Sequence, residues 1–263
     1  MKRYCLSGLI QAFVASLLCI NSHWAYGSTP IEIKVGGYLF APFIQTKQKQ
    51  PTGLTPDLIK LLNTQQTEFY FVLVSTSPKR RYIDFERNVF DAIFFENKNW
   101  GWQDKPILPS KVFLSGGEVY ITLNSQFKDQ SFFSDLKEKS LLGILGYHYG
   151  FAQFNSDEAW LKHHFKIELV NYPSTLINQI LAKKAQIGVI TESYLYNRFK
   201  LNPSLKPKIL LSNKRDQEYE HTILVRENSP LTIEKINNLL DKIKESGELE
   251  VLLKNYGLSK MIR

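Results

Sequence analysis

The chain has 263 residues, of which 43% are hydrophobic and 13% aromatic, and its formal net charge at pH 7 is +8. This composition is sufficient for one large or two modest hydrophobic cores, so we expect a fold that needs neither a metal nor a disulfide. The basic residues are scattered, with no long run and no interleaving with aromatic residues, which argues against a nucleic-acid partner.

The first 27 residues have the pattern of a bacterial export signal. Lys2 and Arg3 form a positive start, residues 6–20 are mostly apolar, and residues 25–27 place small side chains at the cleavage spacing. We therefore expect a mature protein that begins near Ser28 and resides in the periplasm. An uncleaved membrane anchor is the alternative, but no cluster of Lys or Arg follows directly to stop transfer.

Both cysteines of the chain, Cys5 and Cys19, lie in this predicted signal. The mature chain would therefore form neither a disulfide nor a thiolate site, and its net charge would fall to +6 with the loss of Lys2 and Arg3. A chain without cysteine is compatible with the periplasm and argues against a small disulfide-rich domain. A lipid anchor on Cys19 is a further alternative, although the preceding Leu18 is large where such sites have a small residue.

Segments typical of strands alternate with segments typical of helices along the mature chain, which predicts an α/β fold with mainly parallel sheets. Helices are predicted to start at Thr55-Pro56, Ser77-Pro78 and Ser229-Pro230, where a capping side chain precedes a proline, and the last is predicted to end at Gly247. The predicted strands are residues 31–36, 69–74, 90–95, 119–123, 141–145, 167–170, 186–190 and 222–226.

Two places divide this series of elements. Residues 115–117 read Ser-Gly-Gly before an apolar strand, and residues 213–220 form a polar, charged stretch before the strand 222–226. Two crossings between lobes would create a cleft, and clefts between domains are preferred ligand sites. The alternative is a single doubly wound domain in which Gly116 and Gly117 occupy an ordinary loop.

A series of short motifs carries a resemblance to a known family. In order along the chain they are Gly37–Phe43, Gly53–Leu58, Phe90–Ile93, Leu142–Gly150, Ala185–Glu192 and the stretch Ile223–Tyr256. Together they resemble the family 3 extracellular solute-binding proteins over essentially the whole mature chain. The resemblance implies a two-lobed, type II periplasmic binding protein-like fold, in which each lobe is a mainly parallel sheet flanked by helices. We then expect residues 28–117 and 217–263 in lobe 1 and residues 118–216 in lobe 2.

The first lobe offers ligand contacts at the ends of its early strands. Tyr38 and Phe43 flank the first loop and could stack on a ligand, although Phe43 also suits a position in the core. Arg80 lies at the start of a predicted helix, and its planar guanidinium could hold a carboxylate through two parallel hydrogen bonds. Some members of the family have an arginine in a similar place. Lys79 and Arg81 are expected on the surface.

The segment after Ile93 departs from the family pattern. Amino-acid-binding relatives usually carry a threonine and then an arginine for the ligand carboxylate, whereas this chain has no arginine between Arg87 and Arg198. Glu96 could instead accept hydrogen bonds from an amine, and Trp100 or Trp102 could lay an indole face on an apolar or cationic ligand. We expect one of the two tryptophans to contact the ligand and the other to pack.

The second lobe offers Tyr147, Tyr149 and Glu192. The two tyrosines belong to a glycine-flanked turn beside a predicted helix start, where backbone amides can bind an anionic group, and His148 between them is expected to be a polar surface residue. Glu192 matches the family acid that pairs with an amino group. A buried carboxylate is costly without a partner, so we expect a cation beside it or protonation.

The expected function is that of a monomeric periplasmic solute-binding protein. It would capture a small polar ligand, such as an amino acid, by hinge closure and deliver it to an ABC-type permease of the cytoplasmic membrane. We expect no cofactor, no metal and no catalytic residue, because the mature sequence has no nucleophile elbow, zinc-binding His pair or phosphate loop. A dehydratase-like enzyme of the same fold and a ligand-sensing protein are the alternatives.

Overall fold

The computed structural model of the protein describes residues 29–263. The predicted export signal, its cleavage point and Cys19 lie outside the described residues. No helix within residues 29–263 is both long enough and apolar enough to cross a membrane.

Eleven strands and seven helices occur in the described part of the chain. The strands are β1 (Ile31–Gly37), β2 (Gln45–Lys47), β3 (Gln50–Thr52), β4 (Phe69–Ser75), β5 (Ala92–Glu96), β6 (Ile107–Pro109), β7 (Leu114–Leu123), β8 (Leu141–Ile144), β9 (Ile167–Val170), β10 (Ile187–Thr191) and β11 (Ile209–Arg226). The helices are α1 (Leu54–Gln65), α2 (Arg81–Glu86), α3 (Glu158–His164), α4 (Pro173–Leu181), α5 (Glu192–Leu201), α6 (Ile233–Glu245) and α7 (Glu248–Asn255).

Each of the eight predicted strands overlaps an observed strand, and three short strands were not predicted. The hairpin of β2 and β3 is polar and exposed, and β6 has three residues, so neither shows the apolar run by which a buried strand is found in a sequence. The predicted strand 222–226 is only the end of β11, which has 18 residues.

None of the three predicted helix caps is the observed N-cap, and that of α2 is Arg80 rather than Ser77. The first amides of α1 donate to the carbonyls of Pro42 and Phe43, at 3.0 and 2.8 Å, so the helix begins after Gly53 and needs no side-chain cap from Thr55. A Cβ atom on Gly53 would lie 2.6 Å from each of these carbonyl oxygens, and the φ of this residue is +123°. Only glycine therefore allows the loop at residues 40–43 to approach the helix so closely.

The predicted N-cap of helix α6 is also wrong, whereas its predicted apolar face and end are correct. Its cap is Thr232, whose hydroxyl accepts from the amide of Lys235 at 3.3 Å, rather than Ser229 three residues earlier. The predicted apolar face is confirmed, and the helix ends before Gly247, which has a φ of +77°. The residues buried on this face are Ile236, Leu239, Leu240 and Ile243.

Nine strands form one sheet in the order β4-β1-β5-β11-β7-β10-β8-β9, with β6 also paired to β11. Strand β1 is parallel to β4 and β5, and β8 is parallel to β9 and β10, so each half contains a parallel set. Strands β7 and β11 pair antiparallel over most of their length and join the halves. This two-stranded ladder includes residues 115–117 and 213–220, where the sequence predicted the crossings.

The buried apolar side chains form separate clusters in the two halves. One cluster lies on the half that contains β1, β4, β5, α1, α6 and α7, and two smaller clusters lie on the half that contains β8, β9 and β10. The first cluster includes Leu114 and Tyr219, whereas Val119 and Ile209 belong to the second half. The fold is therefore two-lobed, and the alternative of a single doubly wound domain is wrong.

Candidate ligand-binding cleft

A cavity lies where side chains of the two halves meet. The space that a water-sized group can occupy measures about 20 Å³, and the empty volume with the open mouth included is about 330 Å³. Its lining combines aromatic rings with a few polar groups, as ligand sites typically do. The lining residues are Tyr38, Phe40, Pro78, Arg81 and Trp100 from one half and Glu118, Gly146, Tyr147, His148 and Gln217 from the other half and the connecting ladder.

Glu96 is the centre of a buried polar cluster beside this cavity. Its carboxylate accepts a hydrogen bond from the Tyr38 hydroxyl at 2.6 Å and from the Trp102 indole at 2.7 Å. The Nε of Arg81 lies 3.6 Å from the same carboxylate. Burial raises the pKa of Glu96, and the charge of Arg81 and the two hydrogen bonds oppose this shift. Both oxygens of Glu96 are thus used within the protein.

A distortion at the end of β5 aims Glu96 inward. Phe95 has a φ of +59°, and the pairing of β5 with β11 shifts register at Thr222/Ile223. Such bulges turn side chains and are frequent beside functional sites. The ring of His221 holds the distorted backbone, because its Nδ1 lies 2.9 Å from the carbonyl oxygen of Phe95.

The structure brings Arg81 to the cavity and leaves Arg80 outside. The Arg80 side chain is 70% exposed and pairs with Asp84 at 3.2 Å, one turn further along α2. Arg81 is only 3% exposed, donates to the carbonyl of Pro78, and places its guanidinium over the rings of Tyr38 and Tyr82. The prediction that Arg81 lies on the surface is wrong, since it compensates the buried charge of Glu96.

The tryptophans occupy different places, one in the cavity wall and one in the core. Trp100 lines the cavity, and its ring lies 4.7 Å from that of Tyr219. Trp102 is fully buried between Tyr82, Phe85 and Glu96. The structure therefore brings Trp100 to the cavity wall and buries Trp102.

Phe43 is buried in the first lobe and does not line the cavity. Its ring lies 4.5 Å from Phe95 and 4.8 Å from His221. Tyr38, in contrast, reaches the cavity wall as well as Glu96. Of the two residues that flank the first loop, only Tyr38 lines the cavity. Phe40, which lies between them in the sequence, lines it as well.

The glycine-flanked turn of the second lobe separates Tyr147 from Tyr149. Tyr147 lines the cavity, and its ring lies 5.8 Å from Phe40 of the other lobe at an interplanar angle of 85°. Tyr149 is fully buried, and its hydroxyl bonds to the backbone of Ile144. His148 is half-buried at the cavity, where desolvation and the charge of Arg81 lower its pKa to about 4.

Glu192 lies away from this cavity. It begins α5 and borders a second, wider cavity of about 630 Å³ together with Arg215 and Tyr219. Its carboxylate pairs with Arg215 at 3.0 Å and accepts from Tyr196 at 3.3 Å. The expectation of a cationic partner beside this buried acid is confirmed, and the partner is a residue of the protein.

The residue that the sequence reasoning missed is Glu118. It is 3% exposed, lines the main cavity from β7, and its Oε2 has no hydrogen-bond partner in the described part of the chain. Burial raises its pKa well above the ordinary value, the nearby acids Asp216 and Glu192 add to the shift, and the hydroxyl of Tyr219 opposes it. A sequence signal was present, because Glu118 is the only charged residue of the apolar stretch 117–123.

Metal binding has no structural support in the described residues. Among residues 29–263 no group of three or more His, Cys, Asp or Glu side chains is arranged to hold a metal ion.

Comparisons with known proteins establish the fold. No protein-family model and no curated protein matches the sequence. A protein solved bound to L-arginine, Tv2483, is 15% identical with a TM-score of 0.69, over 88% of this chain and 92% of its own. The L-cystine solute receptor of Neisseria gonorrhoeae, in an unliganded open conformation, is 16% identical with a TM-score of 0.61, over 90% and 97%.

A further match is an ancestral amino acid-binding protein described as a precursor of cyclohexadienyl dehydratase. It is 16% identical with a TM-score of 0.63, over 86% of this chain and 95% of its own. At these identities the likeness concerns the fold, and the chain has the two-lobed α/β fold of periplasmic binding proteins, as predicted.

Proposed function

We propose that the protein is an exported, monomeric solute-binding protein that closes its two lobes on a small polar ligand and presents it to an ABC-type permease. The observation that carries the proposal is the composition of the cavity wall, in which Phe40 of one lobe faces Tyr147 of the other. A site divided in this way is complete only when the lobes are closed, so ligand binding favours closure.

The same proposal places the hinge between the lobes in strands β7 and β11. We place lobe 1 at residues 28–117 and 217–263 and lobe 2 at residues 118–216, so that β7 and β11 cross between them. Tyr147 packs on all three core clusters, which couples the ligand wall of lobe 2 to the interior of lobe 1. Opening the cleft would separate Tyr147 from Phe40 while the paired strands stay intact.

The proposal is tested by ligand screening followed by X-ray scattering. The mature protein is screened by thermal shift against amino acids, amines and organic acids, and a ligand at 100 times its Kd should stabilise it by about 2.7 kcal/mol. The ligand that is found should then reduce the radius of gyration. An unchanged scattering profile at saturation would contradict closure.

The matched variants are Tyr147→Ala and Tyr70→Ala. Tyr147→Ala removes a ring that lines the cavity from lobe 2 and should weaken binding more than tenfold, which corresponds to about 1.4 kcal/mol. Tyr70 is 54% exposed on β4, away from the cavity, and Tyr70→Ala should bind as the wild type does. Equal affinities of the two variants in calorimetry would show that the ligand does not bind in this cavity.

An enzymatic alternative is favoured by one observation. A carboxyl with a raised pKa in a cavity, as at Glu118, suits a general acid. Incubation of the mature protein with prephenate-like acids tests this alternative, and we expect no turnover.

A further inference from the structure

Glu118 presents a carboxyl group to the cavity without an internal cation. Its Oε2 has no hydrogen-bond partner in the described part of the chain, and the side chain is 3% exposed. A buried carboxylate in this state is costly and requires a proton or a positive partner. Because Glu118 lines the cavity, that partner can come from a ligand.

The other charges near the cavity are already compensated. Among residues 29–263, Arg81 is the only lysine or arginine in the cavity lining, and its Nε lies 3.6 Å from Glu96. Glu192 is paired with Arg215. Asp216 accepts from the amides of Gly150 and Phe151 and from the hydroxyl of Tyr120. The positive charge that Glu118 lacks is therefore not supplied by these neighbours.

Aromatic rings form the rest of the cavity wall. Phe40 makes near-perpendicular pairs with Trp100 at 6.0 Å and with Tyr147 at 5.8 Å, and all three rings line the cavity. Ring faces attract cations, most strongly where water is excluded. The space of about 20 Å³ that a water-sized group can occupy admits an ammonium group, and the remainder of the ligand can extend into the open mouth.

Building on the proposed function, we propose that the ligand is a small organic cation, whose amine is bound by the carboxylate of Glu118 and enclosed by the rings of Phe40, Trp100 and Tyr147. A ligand of this kind neutralises Glu118 and leaves the Arg81–Glu96 pair undisturbed. It also explains why the cavity needs no free cation of its own, because Arg81 is already paired with Glu96 of the same lobe.

The first experiment compares ligand classes by calorimetry on the mature protein. The probes are putrescine, agmatine and choline as cations, L-glutamine and L-alanine as zwitterions, and L-glutamate and succinate as anions. We expect the tightest cation to bind at least tenfold more tightly than any zwitterion or anion. Tightest binding by a zwitterion or an anion overturns the cation proposal but leaves the solute-binding function in place, whereas no binding by any probe counts against both.

The second experiment uses Glu118→Gln with Glu158→Gln as the matched control. Glu118→Gln keeps the shape of the side chain and removes its charge, so cation binding should weaken at least tenfold. The ligand-free variant should unfold at the same temperature or higher, because an uncompensated buried acid is removed. Glu158 forms an exposed pair with Lys162 on α3, and its variant should bind normally. Wild-type affinity in a folded Glu118→Gln protein overturns the proposal.

The third experiment needs no variant. Because the pKa of Glu118 is raised, a cation that binds the carboxylate should displace a proton, and the measured enthalpy should differ between phosphate and Tris buffers. Affinity should also fall as the pH is lowered. Equal enthalpies and a constant affinity would contradict the proposal. The ionisable groups that face Glu118 or share its cavity are Asp216, Glu192, Tyr147, Tyr149, Tyr219, Arg81 and His148.

Discussion

His221 is a fully buried ionisable residue that contacts the distorted end of β5. Its Nδ1 lies 2.9 Å from the carbonyl oxygen of Phe95, so this nitrogen carries the proton, and its Nε2 has no partner in the described residues. Burial lowers its pKa to about 3. The neutral ring therefore fixes the bulge that directs Glu96 toward the cavity.

This arrangement predicts that His221 contributes a loss of stability as the pH falls. The pKa of His221 is about 3 in the folded protein against 6.5 ordinarily, so between these values the unfolded chain binds more protons. The contribution of His221 is complete above pH 6.5 and is lost as the pH falls toward 3, by up to about 1.4 kcal/mol per pH unit. His148, with a pKa of about 4, acts in the same direction, whereas the raised pKa values of Glu96, Glu118 and Asp216 act against it.

The test is urea denaturation between pH 4 and 7. His221→Phe should be less stable than the wild type at pH 7 but should lose less stability on acidification. Phe43→Leu disturbs the same packing without removing a titratable group, so it should keep the wild-type pH dependence. Identical slopes for wild type and His221→Phe would exclude His221 as the source.

Arg80 and Arg81 show that a shift of one residue along a helix decides whether a side chain is exposed or buried. Adjacent residues on a helix point about 100° apart, so one reaches solvent and the next reaches the core. The Ser77-Pro78 motif indicated a helix start near the cleft but did not determine which arginine faces inward. The direction is decided by the observed start of α2 at Arg81 and by the buried acid of β5.

At the scale of elements, helix α1 protects the edge of the sheet. Strand β4 is the last strand on one side, and the side chain of Asn63 from α1 bonds to it twice. The amide of Phe71 donates to Asn63 Oδ1 at 2.8 Å, and Asn63 Nδ2 donates to the carbonyl of Phe71 at 2.9 Å. The Asn63 side chain therefore forms the hydrogen bonds that a neighbouring strand would otherwise make with the backbone of Phe71, and water is not needed there.

Replacing Asn63 should therefore cost stability without affecting the cleft. Asn63→Ala leaves a donor and an acceptor of Phe71 without their partners, and we expect a loss of about 1–3 kcal/mol in the free energy of unfolding. Lys60→Ala, at an exposed position of the same helix, should change it by less than about 0.5 kcal/mol. Denaturant titration measures both, and equal stability of the two variants would contradict the role given to Asn63.

On the scale of the whole molecule, the 18 residues of β11 connect the two lobes. Its final residues pair with β5 and β6, and its earlier part pairs with β7, with register shifts around Arg215. The irregular stretch supplies Gln217 to the cavity and Arg215 to Glu192. The element that joins the lobes therefore also positions polar groups beside the cleft.

Continuous pairing through β11 predicts that the lobes unfold together. Leu240→Ala in the core of lobe 1 and Ile180→Ala in the core of lobe 2 each remove a fully buried side chain, which costs about 2–5 kcal/mol. Calorimetry should show one transition that moves down in both variants. Val251→Ala, at a position 62% exposed, should leave the transition nearly unchanged. A variant that splits the transition into two would show that the lobes unfold separately.

The sequence by itself determined the elements and their organisation. Apolar runs predicted the eight main strands and the buried face of α6, and the prolines at 56, 78 and 230 indicated that helices lie nearby without marking their N-caps. These features are local, because the period of the apolar residues directly reflects which face of a helix or strand is buried.

Only the tertiary structure decided which side chains form the cleft. Tyr38, Trp100 and Tyr147 reach its wall, while Phe43, Trp102 and Tyr149 pack in the interior, although both sets come from the same motifs. The choice depends on contacts between distant residues, such as His221 with the bulge at Phe95, 126 positions away. It also depends on the pairing of β7 with β11, which places Glu118 in the cavity. A side chain's direction relative to another lobe is set by such pairings, which a local sequence pattern does not contain.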